Sequence, residues 1–586
     1  MIRRLACRLA ALLVLLSPAW AAQAQDSPRL DVFLLPDYQL RQQLDEAHKA
    51  IAERRYNDAV RVLGRLLGGS DAGDTEESAT VEDYFLELAA EGAAQQSLKA
   101  EARRMLSSLP PDGLASYELL YGHQAELLLE AALERGDAES LGEVARKYLH
   151  TKAGCQAVML LGRRHLASGQ PLAAALTLSQ LNDLPTAAQF EPELSILSAT
   201  SWLLADSPEH ASETLVALKR SSRSAKITFA GKETALFRDD EDAVDWLQTQ
   251  LGDWRLNATS LEHQWLVYRG DEARNGSTVG SVPLVYERWA VPTPNFPKQQ
   301  KVLLEEQRQL IKQRVPALPG LHPLVVRHAG VDGASASREV VLTRTPSRLI
   351  AVDFQTGERI WFYPPWGQDP ESEEVASFAK TTSSADTPEM MRLKQRTWHD
   401  APFGQISSDG ERVFFVQDLG LADGNGPPMI VAGGGIIRPN PDRPRSTNEL
   451  TALELGREGY LVWSVGGVDG GDEPQLADAF FLGPPLPLMD GLYVLAEVKG
   501  DVRLVVLDPA SGRLVWQQQL CAVDNQAILD DAARRLGGAS PSFSDGVLIC
   551  PTSAGAVIAV DVAKRSLLWG YQYLETPKDR RPSGGF

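Results

Sequence analysis

Several absences narrow what this chain can be. Only four cysteines occur in 586 residues. Cys7 lies ahead of the first apolar run, and the other three are too few for a disulfide framework. Cys521 and Cys550 read as small core residues. Cations are outnumbered, 58 Lys and Arg against 77 Asp and Glu, leaving a net charge of −19. That balance opposes nucleic acid and anionic membrane surfaces, both of which need clustered Lys and Arg. Apolar runs are short, and a bilayer span needs about 20 residues. The sequence contains no H-E-x-x-H, G-x-S-x-G, Walker loop or C-x-x-C-H. Gly433-Gly434-Gly435 has no following helix and reads as a turn. His150, His322 and His399 have no paired ligands nearby in sequence.

What is present begins with a targeting segment. Arg3, Arg4 and Arg8 precede the apolar run Leu9 to Leu16, and Ala22-Gln23-Ala24 supplies a small-x-small cleavage site. Residues 1–24 are therefore expected to be a signal peptide, and the mature protein to be exported to the periplasm or beyond. The length of the chain calls for more than one domain.

Residues 26–255 carry helical spacing. Ala47, Ile51, Val60, Leu63 and Leu67 recur at three- and four-residue intervals around a turn near Arg55-Tyr56. The helix–turn–helix phrase returns at AALERGDAESLGEVARKYL, HLASGQPLAAALTLSQL and LLADSPEHASETLVAL. Its turn glycines Gly136 and Gly169 stand 33 residues apart. This period resembles degenerate tetratricopeptide repeats, which implies an α-solenoid stack of helix pairs with no sheet. From 263 to 586 the period is two, as in Val413 to Val416 and Val502 to Val506, and predicts many short strands. A surface helix over 297–315 and a mobile polar loop over about 366–396 interrupt them.

Within the strand half one phrase recurs. Residues 351–361 read AVDFQTGERIW, 506–516 read VLDPASGRLVW, and 559–569 read AVDVAKRSLLW. Residues 452–463, ALELGREGYLVW, carry one extra residue and Glu454 in place of Asp. Trp463, Trp516 and Trp569 follow one another at 53 residues. Asp353, Asp508 and Asp561 are suited to accept backbone hydrogen bonds at the head of a turn. Gly357 and Gly512 supply positive φ, although Arg565 stands where the third glycine belongs. The tryptophans Trp361, Trp463, Trp516 and Trp569 then lie in the returning strand, where each can wedge one sheet against the next. All four are expected to be buried. A unit of about four strands ending in a docking tryptophan is a propeller blade.

The A-x-D-x-x-T-G-x-x-x-W phrase resembles the repeat of PQQ-like β-propeller proteins, and WLVYRGDEARNG with PLVYERW up to Trp289 resembles their opening segment. That resemblance implies quinoprotein dehydrogenases or the propeller subunit of outer-membrane assembly machinery. The count is four blades and a lone strand at Trp289, an incomplete ring. Its last face would be covered either by more chain or by a second protein. Family enzymes hold the quinone under a vicinal Cys-Cys ring, which Cys521 and Cys550 cannot form. The segments 423–426 and 466–473 lack the ligand spacing of a Ca²⁺ loop and read as loops between blades. Neither PQQ nor Ca²⁺ is expected. The resulting expectation is a non-enzymatic scaffold that binds other cell-envelope proteins. A quinoprotein-type oxidoreductase and an envelope polysaccharide-binding module are the alternatives.

Overall fold

The computed structural model describes residues 33, 38–68, 82–86, 97–182, 184–222, 226–229, 232–252, 264–277, 287–294, 297–328, 338–365, 388–418, 429–431, 435–437, 446–523 and 528–573. The expected signal peptide and residues 366–387 of the expected loop lie outside them.

The N-terminal half is built of α1 (Tyr38–Ala52), α2 (Tyr56–Leu66), α3 (Leu98–Ser107), α4 (Pro111–Arg135), α5 (Ala138–Lys147), α6 (Lys152–Ala167), α7 (Pro171–Ser179), α8 (Glu193–Leu204), α9 (Pro208–Ser221) and α10 (Ala243–Leu251). Local chemistry sets the breaks. Pro111, Pro171 and Pro208 open helices at positions where no N–H is needed. Gly136 closes α4 in the left-handed conformation, and the Asp137 carboxylate then caps α5 through the N–H groups of Glu139 and Ser140. From α5 to α9 each helix packs on the next.

The expectation of no sheet fails at one point. β1 (Lys226–Phe229) and β2 (Lys232–Ala235) form an antiparallel hairpin with Ile227 opposite Thr234. Ile227 is buried. Strands of four residues are too short to register against a helical period.

The C-terminal half is all antiparallel apart from α11 (Pro297–Lys312) and α12 (Pro388–Trp398), with shorter helical turns between strands. Among the described residues its strands fall into four sheets of four or more strands and one separate two-stranded hairpin. The first is β3 (Leu324–His328), β4 (Arg338–Arg344), β5 (Leu349–Asp353) and β6 (Arg359–Tyr363). The second is β7 (Ile406–Ser408), β8 (Arg412–Asp418), β11 (Asn448–Glu454), β12 (Tyr460–Gly466) and β13 (Gly470–Gly471), with the small hairpin β9 (Met429–Val431) and β10 (Gly435–Ile437) lying between β8 and β11 in the chain. The third is β14 (Phe480–Phe481) and β15 (Leu486–Leu488) beside β16 (Gly491–Val498), then β17 (Asp501–Leu507) and β18 (Leu514–Ala522). The fourth is β19 (Ser542–Ser544), β20 (Val547–Pro551), β21 (Ala556–Asp561) and β22 (Ser566–Gln572). Central strands such as β17, with a run of buried Val and Leu, are covered on both faces. Residues 388–396 belong to α12 instead of a loop. Lys394 pairs with Glu306 of α11 at 2.9 Å, and Leu393 is buried.

The two halves share one core: Leu176, Trp202 and Leu215 of the helices cluster with Leu504, Trp516 and Ile558 of the last two sheets. Residues 82–85 form a latch in the seam. The buried amide of Gln518 accepts from the Asp83 N–H (3.0 Å) and donates to its carbonyl (2.7 Å). The Asp83 carboxylate accepts from the N–H of Leu567 on β22 (2.8 Å), of Lys99 (2.9 Å) and of Tyr84 (3.0 Å). Glu82 pairs with Arg503 at 2.6 Å.

Beside this seam His150 is buried, with Nε2 3.2 Å from Ser107 Oγ and Nδ1 without a hydrogen-bond partner. Burial, and then the charge of Arg103, pushes its pKa down to about 4. Below about 6.5 the unfolded chain takes up a proton that the fold refuses. Stability should therefore fall by about 3 kcal/mol as pH drops from 6.5 to 4. Denaturation midpoints of His150→Asn should show a shallower pH slope than those of the parent.

Candidate functional site

The repeated turns adopt one geometry. Asp353 Oδ1 accepts from the N–H groups of Gln355 (2.9 Å) and Thr356 (2.8 Å), and Gly357 follows at φ +75°. The Thr356 N–H, aided by the Arg338 guanidinium, holds this carboxyl below the usual range. Asp508 accepts from Ser511 N–H (2.8 Å) ahead of Gly512 at φ +72°, and Asp561 accepts from Lys564 N–H (2.8 Å).

Each turn meets the tryptophan of the preceding unit. A Cβ added to Gly357 would lie 2.6 Å from the Trp289 ring, one at Gly459 2.6 Å from Trp361, and one at Gly512 2.7 Å from Trp463. The Trp289 indole N–H donates to Phe354 C=O (3.1 Å) and that of Trp463 to Pro509 C=O (3.0 Å). In both cases the acceptor is the residue after the turn aspartate. Trp516 meets Arg565, whose guanidinium lies 5.4 Å from its ring centre.

Trp361, Trp463 and Trp516 are buried, but Trp569 is 41% exposed. The expectation that all four are buried is corrected here: no turn glycine among the described residues lies against Trp569. Most of the lone strand expected up to Trp289 lies outside the described residues; residues 287–294 contain no strand, and Trp289 sits on the Gly357 turn. Gly512→Ala would combine positive φ with a clash, and should destabilise by about 2 kcal/mol or more in equilibrium denaturation.

The opening segment 264–277 has a place that its sequence did not reveal. Trp265 bridges Val325 of β3, Leu266 C=O accepts from Ser408 N–H of β7, and Glu272 C=O accepts from Phe543 N–H of β19. Arg274 donates to Pro541 C=O (2.7 Å). The segment thus joins edge strands of three sheets, and it lines a cavity of about 630 Å³ with Pro487, Leu488 and Met489 beside β15 of another. Asp271, Glu272 and Asp409 give this cup acidic character, while Trp265, Leu266 and Val267 supply apolar wall.

Among the described residues no three His, Cys, Asp or Glu side chains are placed to hold a metal. Burial pushes the Cys521 thiol up to about 12 and raises Cys155 and Cys550, so none is an activated nucleophile. Segment 466–473 ties two sheets together: Glu473 Oε2 accepts from Leu514 N–H at 2.9 Å. Segment 423–426 lies outside the described residues.

A second exposed feature sits on α4. One side of this helix buries Tyr117, Tyr121, Ala125 and Leu129 in the helical core. Leu119, Leu120, Leu127, Leu128 and Leu133 are exposed, Leu119 by 84%.

The family described as outer membrane protein assembly factor BamB matches residues 441–583. The match supports a PQQ-like propeller region. No curated protein matches the chain. Solved structures resembling it include BamB from Moraxella catarrhalis, at 14% identity over 42% of this chain and 53% of that one, with a TM-score of 0.21. A europium-containing methanol dehydrogenase matches at 14% over 54% and 50%, with a TM-score of 0.28. Quinohemoprotein alcohol dehydrogenase from Comamonas testosteroni matches at 15% over 43% and 37%, with a TM-score of 0.23. The chain spans about half or less of the length of these structures. No described helix is long and apolar enough to cross a membrane.

Proposed function

We propose that the protein is an exported, non-enzymatic scaffold of the cell envelope, with a tetratricopeptide-like helical half and a PQQ-like propeller half that both bind proteins. The observation that carries this reading is the leucine face of α4. Five leucines of this helix are exposed, interleaved with exposed Glu126, Glu130 and Glu134, and apolar side chains rimmed by charge in this way suit a protein partner. The match of residues 441–583 to an assembly-factor family supports the envelope setting. In this reading residues 1–24 direct export, the buried tryptophans hold blade to blade, and neither PQQ nor Ca²⁺ takes part.

The test is affinity capture from envelope extract with the full chain and with Leu119→Ser/Leu127→Ser. An envelope protein retained by the parent and lost from the variant is expected. The same proteins retained by both would remove the leucine face from the account. Anaerobic reconstitution with quinone and Ca²⁺ addresses the enzyme alternative, and turnover of any alcohol or sugar would overturn the scaffold reading.

A further inference from the structure

Arg565 breaks the turn phrase. It occupies the position of Gly357 and Gly512, keeps their left-handed backbone (φ +48°), and lays its guanidinium over Trp516. That conformation costs a non-glycine residue on the order of 1 kcal/mol, so the side chain invites explanation. Across the seam stand Lys99 and Arg103, one turn apart on α3, and Arg146 on α5. All four cations are half-buried. Arg103 Nη2 donates to Lys564 C=O at 2.8 Å, while its Nη1 is buried and has no hydrogen-bond partner.

Among the described residues, none of these four forms a salt bridge. The nearby carboxylates are engaged elsewhere. Asp83 accepts three backbone N–H groups, Glu82 pairs with Arg503, Glu143 with Lys147 and Asp561 with Lys564, while Glu139 is exposed. Burial first, with the charge of the neighbouring Arg565 adding to it, pulls Lys99 down to about 8 and Arg146 down to about 9. Buried cations are ordinarily paired, and a chain of net charge −19 has carboxylates to spare.

We propose that the seam between the helical half and the fourth sheet binds a phosphate-class oxyanion, held by Arg565, Arg146, Arg103 and Lys99. A tetrahedral dianion offers several acceptors to cations that arrive from three different elements. Guanidinium forks suit it better than they suit a single carboxylate.

The experiment is isothermal titration calorimetry of the full chain with inorganic phosphate, pyrophosphate and citrate, at constant ionic strength. The parent should bind phosphate or pyrophosphate, and Arg565→Gly and Arg146→Gln should each weaken that binding by about tenfold or more. Arg565→Gly restores the residue used at other turns, so its fold should persist, and far-UV circular dichroism checks this for both variants. Absence of binding, equal affinity in parent and variants, or citrate bound as tightly as phosphate would overturn the proposal.

Discussion

Trp463→Ala is expected to destabilise the propeller half by about 3 to 5 kcal/mol, whereas Trp569→Ala should cost less than about 1 kcal/mol. The two tryptophans hold the same position in the same phrase, so the difference is a matter of neighbours alone. Trp463 is 2% exposed, rests on Gly512 and donates its indole N–H to Pro509. Its removal leaves a cavity and an unpaired carbonyl. Trp569 already stands partly in solvent. Denaturant midpoints of the two variants at unchanged slope give the comparison. Equal losses would mean that the docking contacts contribute little.

Asp83→Ala should release the helical half from the propeller. The side chain is 1% exposed and is the acceptor for three N–H groups, that of Leu567 fully buried and those of Lys99 and Tyr84 partly so. Each orphaned donor costs about 1 to 3 kcal/mol, so a total near 3 kcal/mol or more is expected. The effect should be local. Amide exchange at Leu567 and Lys99 should accelerate, while β16 and β17 stay protected. Asp83→Asn keeps one acceptor oxygen and should recover part of the loss. Unchanged exchange at Leu567 in Asp83→Ala would show that the halves are held by their shared apolar core without the latch.

The period of three to four before residue 250 and of two after it made both halves legible, because each period reports which face is buried. The Asp-to-Trp phrase likewise marked where each four-strand unit ends. Exposure of Trp569 was hidden, since the phrase specifies the tryptophan but not the presence of a next turn. The latch was hidden too: Glu82 and Asp83 carry no periodic signal, and the amide that holds Asp83 lies 435 residues away. Helix 388–398 was hidden by its polar composition, and among its described side chains Leu393, Arg396 and Thr397 are the buried ones. Arg565 was visible as an irregularity of the phrase, yet its neighbours Lys99, Arg103 and Arg146 come from the other half of the chain.

The central structural claim is that each tryptophan rests on the turn of the following unit until the series ends at Trp569. Hydrogen exchange of indole N–H protons in tryptophan-labelled protein, assigned through Trp→Phe variants, tests it most directly. The Trp463 and Trp289 indole protons, bonded to Pro509 and Phe354, should exchange slowly, and that of Trp569 at nearly the solvent rate. A Trp569 proton as protected as that of Trp463, or a freely exchanging Trp463, would contradict the account.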